Sequence, residues 1–233
     1  MNRIVGVKQS RCIAGGLSGV CGVVLLGLSF AINTGPPEGA TSAELANFAQ
    51  QNYARILCGA WMQAVGPVLI VLFAFFIVSL AGATQKLSGW MTFFGATILM
   101  TVSLIEVTFY ISALYRDPAL MPFVSLNLIS AVQHLYFIVA APALFLPLGI
   151  VLVESRVLPK LFGYLALLLG ATFAALGMIF LLRLTLPDAV TAFGAVQALW
   201  WLAAAVALIV RSGKLCGDFA SLQSDGMAGR PSL

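Results

Sequence analysis

The apolar runs of this 233-residue chain carry few side chains that can do chemistry: one acid, Glu106, one imidazole, His134, and three glutamines, Gln63, Gln133 and Gln197. Their depths coincide. At 1.5 Å of rise per helical residue, Glu106 lies ~12 Å from the end of its run and His134 ~12 Å from the start of the next. Gln63 and Gln197 lie ~10–12 Å inside theirs. Tyr110, one turn above Glu106, and Ser103, one turn below, share its helix face. Four helices thus contribute polar groups to one layer in the outer half of a membrane, and the inner half has nothing comparable.

An intramembrane acid is costly and usually faces the bundle interior. A carboxyl and an imidazole side by side in low dielectric can hold or release a proton near neutral pH. The functional reading is therefore an outward-facing pocket in which Glu106 and His134, with Gln63, Gln197, Tyr110 and Gln133, bind, sense or move a small or lipophilic ligand. The plain alternative is interhelical glue, each hydrogen bond contributing ~0.6 kcal/mol. That reading fits a structural or assembly subunit of a membrane complex. A third reading makes Glu106 and His134 the acid and base of an intramembrane enzyme.

Other chemistries fit poorly. Gly16-Leu17-Ser18-Gly19 spells the GxSG of rhomboid-type proteases, but Ser18 falls in the inner half and His134 in the outer. One His and one Glu do not make a zinc site, which takes three or four ligands. A bis-His haem needs a second His, and retinal needs an intramembrane Lys that no run supplies. Trp200-Trp201 reads as packing. No cofactor is indicated, and nothing resembles a nucleic-acid module.

The elements that position these residues follow from composition. The chain is 61% hydrophobic and 9% charged, against ~45–50% and ~25% in soluble domains. Too little charge remains to cover a soluble surface, so the chain belongs in a bilayer. Six runs reach the ~20 residues a span needs: 13–32, 56–81, 90–114, 126–153, 161–182 and 189–210. Each must be helical, because an isolated strand leaves its backbone unsatisfied in lipid. The fold class is all-α, a six-helix transmembrane bundle spanning residues 13–210.

Nine basic residues fall on one side of these runs: Arg3, Lys8, Arg11, Lys86, Arg156, Lys160, Arg211, Lys214 and Arg230. Three, Arg55, Arg116 and Arg183, fall on the other. The bias puts both termini in the cytoplasm of a multi-pass plasma (inner) membrane protein, with residues 1–12 inside. Loop 33–54 is then extracellular. Its Gly35-Pro36-Pro37 stops the first helix, and Thr41-Ser42-Ala43-Glu44 has the capping-box pattern of a short helix. Residues 211–233 read as a flexible cytoplasmic tail. Cys21 and Cys58, at different depths, read as small buried hydrophobes.

Two hairpins share a pattern. Lys86-Leu87-Ser88-Gly89-Trp90 and Ala131-Val132-Gln133 of spans three and four match Lys160-Leu161-Phe162-Gly163-Tyr164 and Ala195-Val196-Gln197 of spans five and six. Gly66-Pro67 interrupts the second span, and Pro142 and Pro147 interrupt the fourth just below His134, where kinks are expected.

Across the fourth-to-fifth connection, Gly149, Ser155, Pro159, Lys160 and Gly163 stand as Gly-x5-Ser-x3-Pro-Lys-x2-Gly. This resembles the cytoplasmic turn of a bacterial six-span integral membrane family of unknown function. The resemblance implies the six-span plan and a bacterial membrane, but no activity, ligand or cofactor. Where that family carries His-Leu before the first Gly, Leu144-Phe145 stands here. The expected partners are the lipid bilayer, a small or lipophilic ligand, and a membrane-protein partner or a second copy of the chain.

Overall fold

The computed structural model describes residues 2–33, 40–114, 121–181 and 187–228. These are helical, with no strand among them: α1 (Asn2–Ile32), α2 (Ser42–Gln51), α3 (Tyr53–Leu80), α4 (Leu87–Ala113), α5 (Met121–Leu135), a π turn (Tyr136–Ala140), α6 (Ala141–Glu154), α7 (Lys160–Leu181) and α8 (Pro187–Ala228). Six stretches are long and apolar enough to cross a membrane: Gln9–Ile32, Tyr53–Leu80, Leu87–Ser112, Ala131–Glu154, Lys160–Ile179 and Ala192–Gly213. They match the expected spans to within a few residues. The expected stop at 35–37 lies outside the described residues. Past Val210, where a flexible tail is expected, α8 stays helical to Ala228.

Helix ends follow local rules. Thr41 caps α2: its Oγ1 accepts the Glu44 N–H at 3.4 Å, and Glu44 Oε2 accepts the Thr41 N–H at 2.7 Å. That is the expected capping box. α2 and α3 are separated only by Asn52, whose side chain donates to the Phe48 carbonyl. Arg55 then reaches from the start of α3 to the Ile32 carbonyl at the end of α1, 3.3 Å away. At the other end of α3, Gly82 adopts φ +63. The Ala83 N–H returns to Val78 O and the Gly82 N–H to Ser79 O, a glycine-dependent stop.

Packing centres on α6, which rests on α4 and α7; α3 joins α4 to α1, and α1 carries α8. Small residues make these approaches. A Cβ on Gly95 of α4 would overlap the Ala143 carbonyl of α6. A Cβ on Gly149 would meet the Gly163 carbonyl at 2.9 Å, and one on Gly163 would meet the Gly149 carbonyl at 2.9 Å. The two glycines of the 149–163 turn pattern therefore face one another, with Val157 and Leu158 buried beside them. Lys86 pairs with Glu154 at 3.1 Å across the same end. Both are half exposed, so the pair contributes at most about 1 kcal/mol.

Cys21 and Cys58 are exposed on α1 and α3, not buried as expected. Hydrocarbon suits a small apolar thiol as well as a protein core does, so composition alone does not choose between them.

Two outcomes follow. Gly95→Val separates α4 from α6 and costs about 1–3 kcal/mol. Gly27→Val, where an added Cβ meets nothing within 4 Å, leaves stability near wild type; unfolding in detergent micelles compares them. The Thr41 N–H, and then its hydroxyl, hold the Glu44 carboxyl below its ordinary range. The cap is therefore fully present above the ordinary carboxylate pKa and is lost as pH falls through the lowered folded value. Intrinsic-rate-corrected exchange protection of the α2 amides falls over that window in wild type and not in Glu44→Gln.

Candidate functional site

The site is built on α3, α4, α5 and α8, in the half of the bundle that carries α2. On α4, Leu99 and Val102 are buried, while Leu104, Ile105 and Thr108 are exposed. Glu106 therefore turns inward on the face of Val102 and Ser103. Gln133 Nε2 donates to Glu106 Oε1 at 3.0 Å. Gln63, itself only 3% exposed, hydrogen-bonds the same carboxyl from α3. One acid thus joins three helices through two amides. Nearer the end of α4, Ser112 and Ser125 share a 2.8 Å hydrogen bond to α5.

A second link lies beside the first. Tyr136 Oη donates to Gln197 Oε1 of α8 at 2.6 Å. Tyr136 and Tyr110 both lie close enough to the Glu106 carboxyl to feel its charge. Tyr136 did not stand among the expected site residues. Its spacing from Gln133, one helical turn, is the signal that would have found it.

The structure joins Glu106 to Gln133 and Gln63 rather than to His134. His134 lies two residues past the buried Val132, ~200° around the helix, and its side chain is exposed. Depth alone suggested the Glu106–His134 pair; depth says nothing about which way a residue points. Ser18, the serine of the GxSG string, donates to the Gly15 carbonyl at 2.7 Å on α1.

Below Gln133 the helix widens. Over Tyr136–Ala140 it is a π turn, and the Ala141 N–H bonds the Tyr136 carbonyl five residues back. Pro142 explains this: it has no N–H to give, and its ring would clash with the carbonyl four residues earlier. A wider turn removes the clash. Pro142 thus sets where Tyr136 leaves the helix, and so its reach to α8.

Beneath the polar layer lies an aromatic floor. Phe145 sits 5.3 Å from Trp200 and 5.2 Å from Trp201, ring centre to ring centre. Phe73 of α3 and Phe173 of α7 extend it. Trp200 Nε1 donates to the Phe162 carbonyl at 3.1 Å. The floor is buried; in the layer above it only Gln63 is. Glu106, Tyr110, Tyr136 and Gln197 are partly accessible, and Gln133 is exposed. Along 192–199 of α8 only Phe193 and Gln197 are part-buried, and the rest are exposed. α8 leans on α1 and has little backbone contact with α7. The arrangement gathers one carboxyl, two phenols and three amides into one layer, of which Gln63 is buried and the others keep some exposure. Among the described residues, no group of three His, Cys, Asp or Glu side chains comes together.

A double-mutant cycle of Tyr136→Phe with Gln197→Leu gives a coupling of about 0.6–1.7 kcal/mol, the range of interhelical hydrogen bonds in membranes. Tyr136→Phe with the distant Tyr164→Phe adds to within about 0.5 kcal/mol. Unfolding in bicelles measures both. No protein-family model, curated protein or solved structure matches this chain.

Proposed function

We propose that this chain is a non-enzymatic plasma-membrane protein that binds, senses or transports a small or lipophilic ligand in the crevice around Glu106. One observation carries the reading. Polar side chains from α3, α4, α5 and α8 converge at one depth above a buried aromatic floor, and all of them except the buried Gln63 keep some exposure. Glue alone would favour a dry layer, since water competes for each interhelical hydrogen bond.

In this proposal both termini are cytoplasmic and the crevice opens outward, in keeping with the nine-to-three distribution of basic residues. The two hairpins are copies of one unit, with Gln133 and Gln197 at equivalent positions, each in a hydrogen bond of the same layer. The 149–163 turn joins the chain to the six-span family it resembles, and the Gly149–Gly163 contact is what the spacing would preserve. A second reading, a structural or assembly subunit of a membrane complex, takes the same interhelical hydrogen bonds as glue.

Thiol labelling tests the crevice. Cys21 and Cys58 are first replaced by Ala, and Gln197→Cys or Phe173→Cys is introduced. A membrane-impermeant thiol reagent added outside sealed right-side-out vesicles labels the cysteine at 197 and leaves that at 173 unmodified. No labelling at 197, or labelling only from the cytoplasmic side, ends the proposal.

A further inference from the structure

We infer that the start of α7 is a binding site for an anionic phospholipid, its phosphate held by Arg156 and Lys160 and its acyl chains lying along the exposed face of the helix. Such a site is independent of the polar layer, which lies toward the other end of the spans. In the orientation proposed above it belongs to the cytoplasmic leaflet.

α7 has two unlike faces. Gly163, Gly170 and Phe173 are buried on the side of α6, where a Cβ on Gly163 would meet the Gly149 carbonyl and one on Gly170 would meet Leu146. Leu161, Tyr164, Leu165 and Leu168 are exposed on the other side. In a bilayer an exposed apolar face meets acyl chains. Lys160, Tyr164 and Leu168 follow one another at one-turn spacing on it. The order is ammonium, phenol, hydrocarbon, with Tyr164 ~6 Å along the axis from Lys160. A phospholipid presents its parts in the matching order: phosphate, ester level, acyl chain. Tyrosine favours the level between, where one end of the ring is apolar and the other wet.

Charge selects the headgroup. Val157 and Leu158 are buried and pin the connection into α7, while Arg156 and Lys160 on either side of them are exposed. Both cations are available. Glu154, the nearest acid along the chain, holds Lys86 at 3.1 Å, and neither Arg156 nor Lys160 has an ion pair among the described residues. Asp218 and Asp225 lie farther on, along the extension of α8 past Arg211. A planar guanidinium takes a phosphate in two parallel hydrogen bonds, and an ammonium adds a point charge. α4 carries the same ladder as Lys86, Trp90 and Phe94, with both rings exposed, but there the ammonium is committed to Glu154. Of the two ladders, that on α7 is the one with charge to offer. A zwitterionic lipid brings a cation of its own against Arg156 and Lys160. A free phosphate leaves the apolar face idle.

The full chain in uncharged detergent micelles is titrated with phosphatidylglycerol and with phosphatidylcholine, and bound lipid is counted by native mass spectrometry. Phosphatidylglycerol is expected to bind about tenfold or more tighter. Arg156→Gln and Lys160→Gln each weaken it about fivefold, and Lys160→Arg, which keeps the charge, does not. Leu168→Ser weakens it with both charges retained. Arg55→Gln, which removes a charge at the other end of the spans, leaves it within about twofold. Thermal unfolding establishes that each variant is folded. The site is disproved if phosphatidylcholine binds as tightly, if the folded Arg156→Gln/Lys160→Gln double variant binds phosphatidylglycerol like wild type, or if Arg55→Gln weakens it as much as Lys160→Gln. Displacement of the lipid by glycerol phosphate, which carries the phosphate without acyl chains, also overturns the lipid and makes the site one for a soluble anion.

Discussion

The close backbone approach around α6 is the constraint on which the rest of the fold depends. In hydrocarbon, helices gain nothing from hiding apolar surface, so association rests on tight packing and a few hydrogen bonds. Gly95 against Ala143 and Gly149 against Gly163 let three helices touch at their backbones. Leu144, Leu148 and Leu152 then fill the seam completely. Pro147 is tolerated here because surrounding helices enclose it.

Polar chemistry is therefore displaced to the other half of the bundle. Where α6 gives way to the π turn and α5, α7 still comes close, since a Cβ on Gly177 would meet the Ile138 backbone at 2.8 Å, and polar side chains add a second means of contact. Amides and a phenol bridge the wider gaps: Gln63 and Gln133 across Glu106, and Tyr136 across to Gln197. The aromatic cluster marks the boundary, with Phe145, Phe173, Trp200 and Trp201 packed between the tight seam and the polar layer. The proposed binding crevice is the complement of the tight half: one end is sealed so that the other can stay open.

The six spans were legible because hydrocarbon thickness imposes a length that composition must meet. The α2 cap was legible because Thr41 and Glu44 act over three residues of chain. The polar layer was legible as a depth. What was not legible was direction around each helix. Near 134 the polar residues Asn127, Ser130, Gln133, His134 and Tyr136 are spread over much of the helix surface, so no single stripe distinguishes the inner face, and a shift of one residue turns a side chain by ~100°. Packing of Ser125, Ile129 and Val132 decided the matter, turning Gln133 toward Glu106 and His134 away. The π turn was only half visible. Pro142 signalled a disturbance, and its form depended on which backbone bonds the neighbouring helices left intact.

That turn has a consequence for how the chain can vary. A bond from residue 141 to residue 136 encloses one residue more than an α-turn does, so the π turn is in effect a single-residue insertion held in place. Deleting one residue between 137 and 140 would close it to an ordinary helix. The Gly149–Gly163 side would keep its register, while Tyr136 and Gln133 would swing by ~100° out of the layer. A descendant with that deletion would keep the bundle and lose the polar layer, so gain or loss of one codon separates a form of this fold with its interhelical hydrogen bonds from one without them.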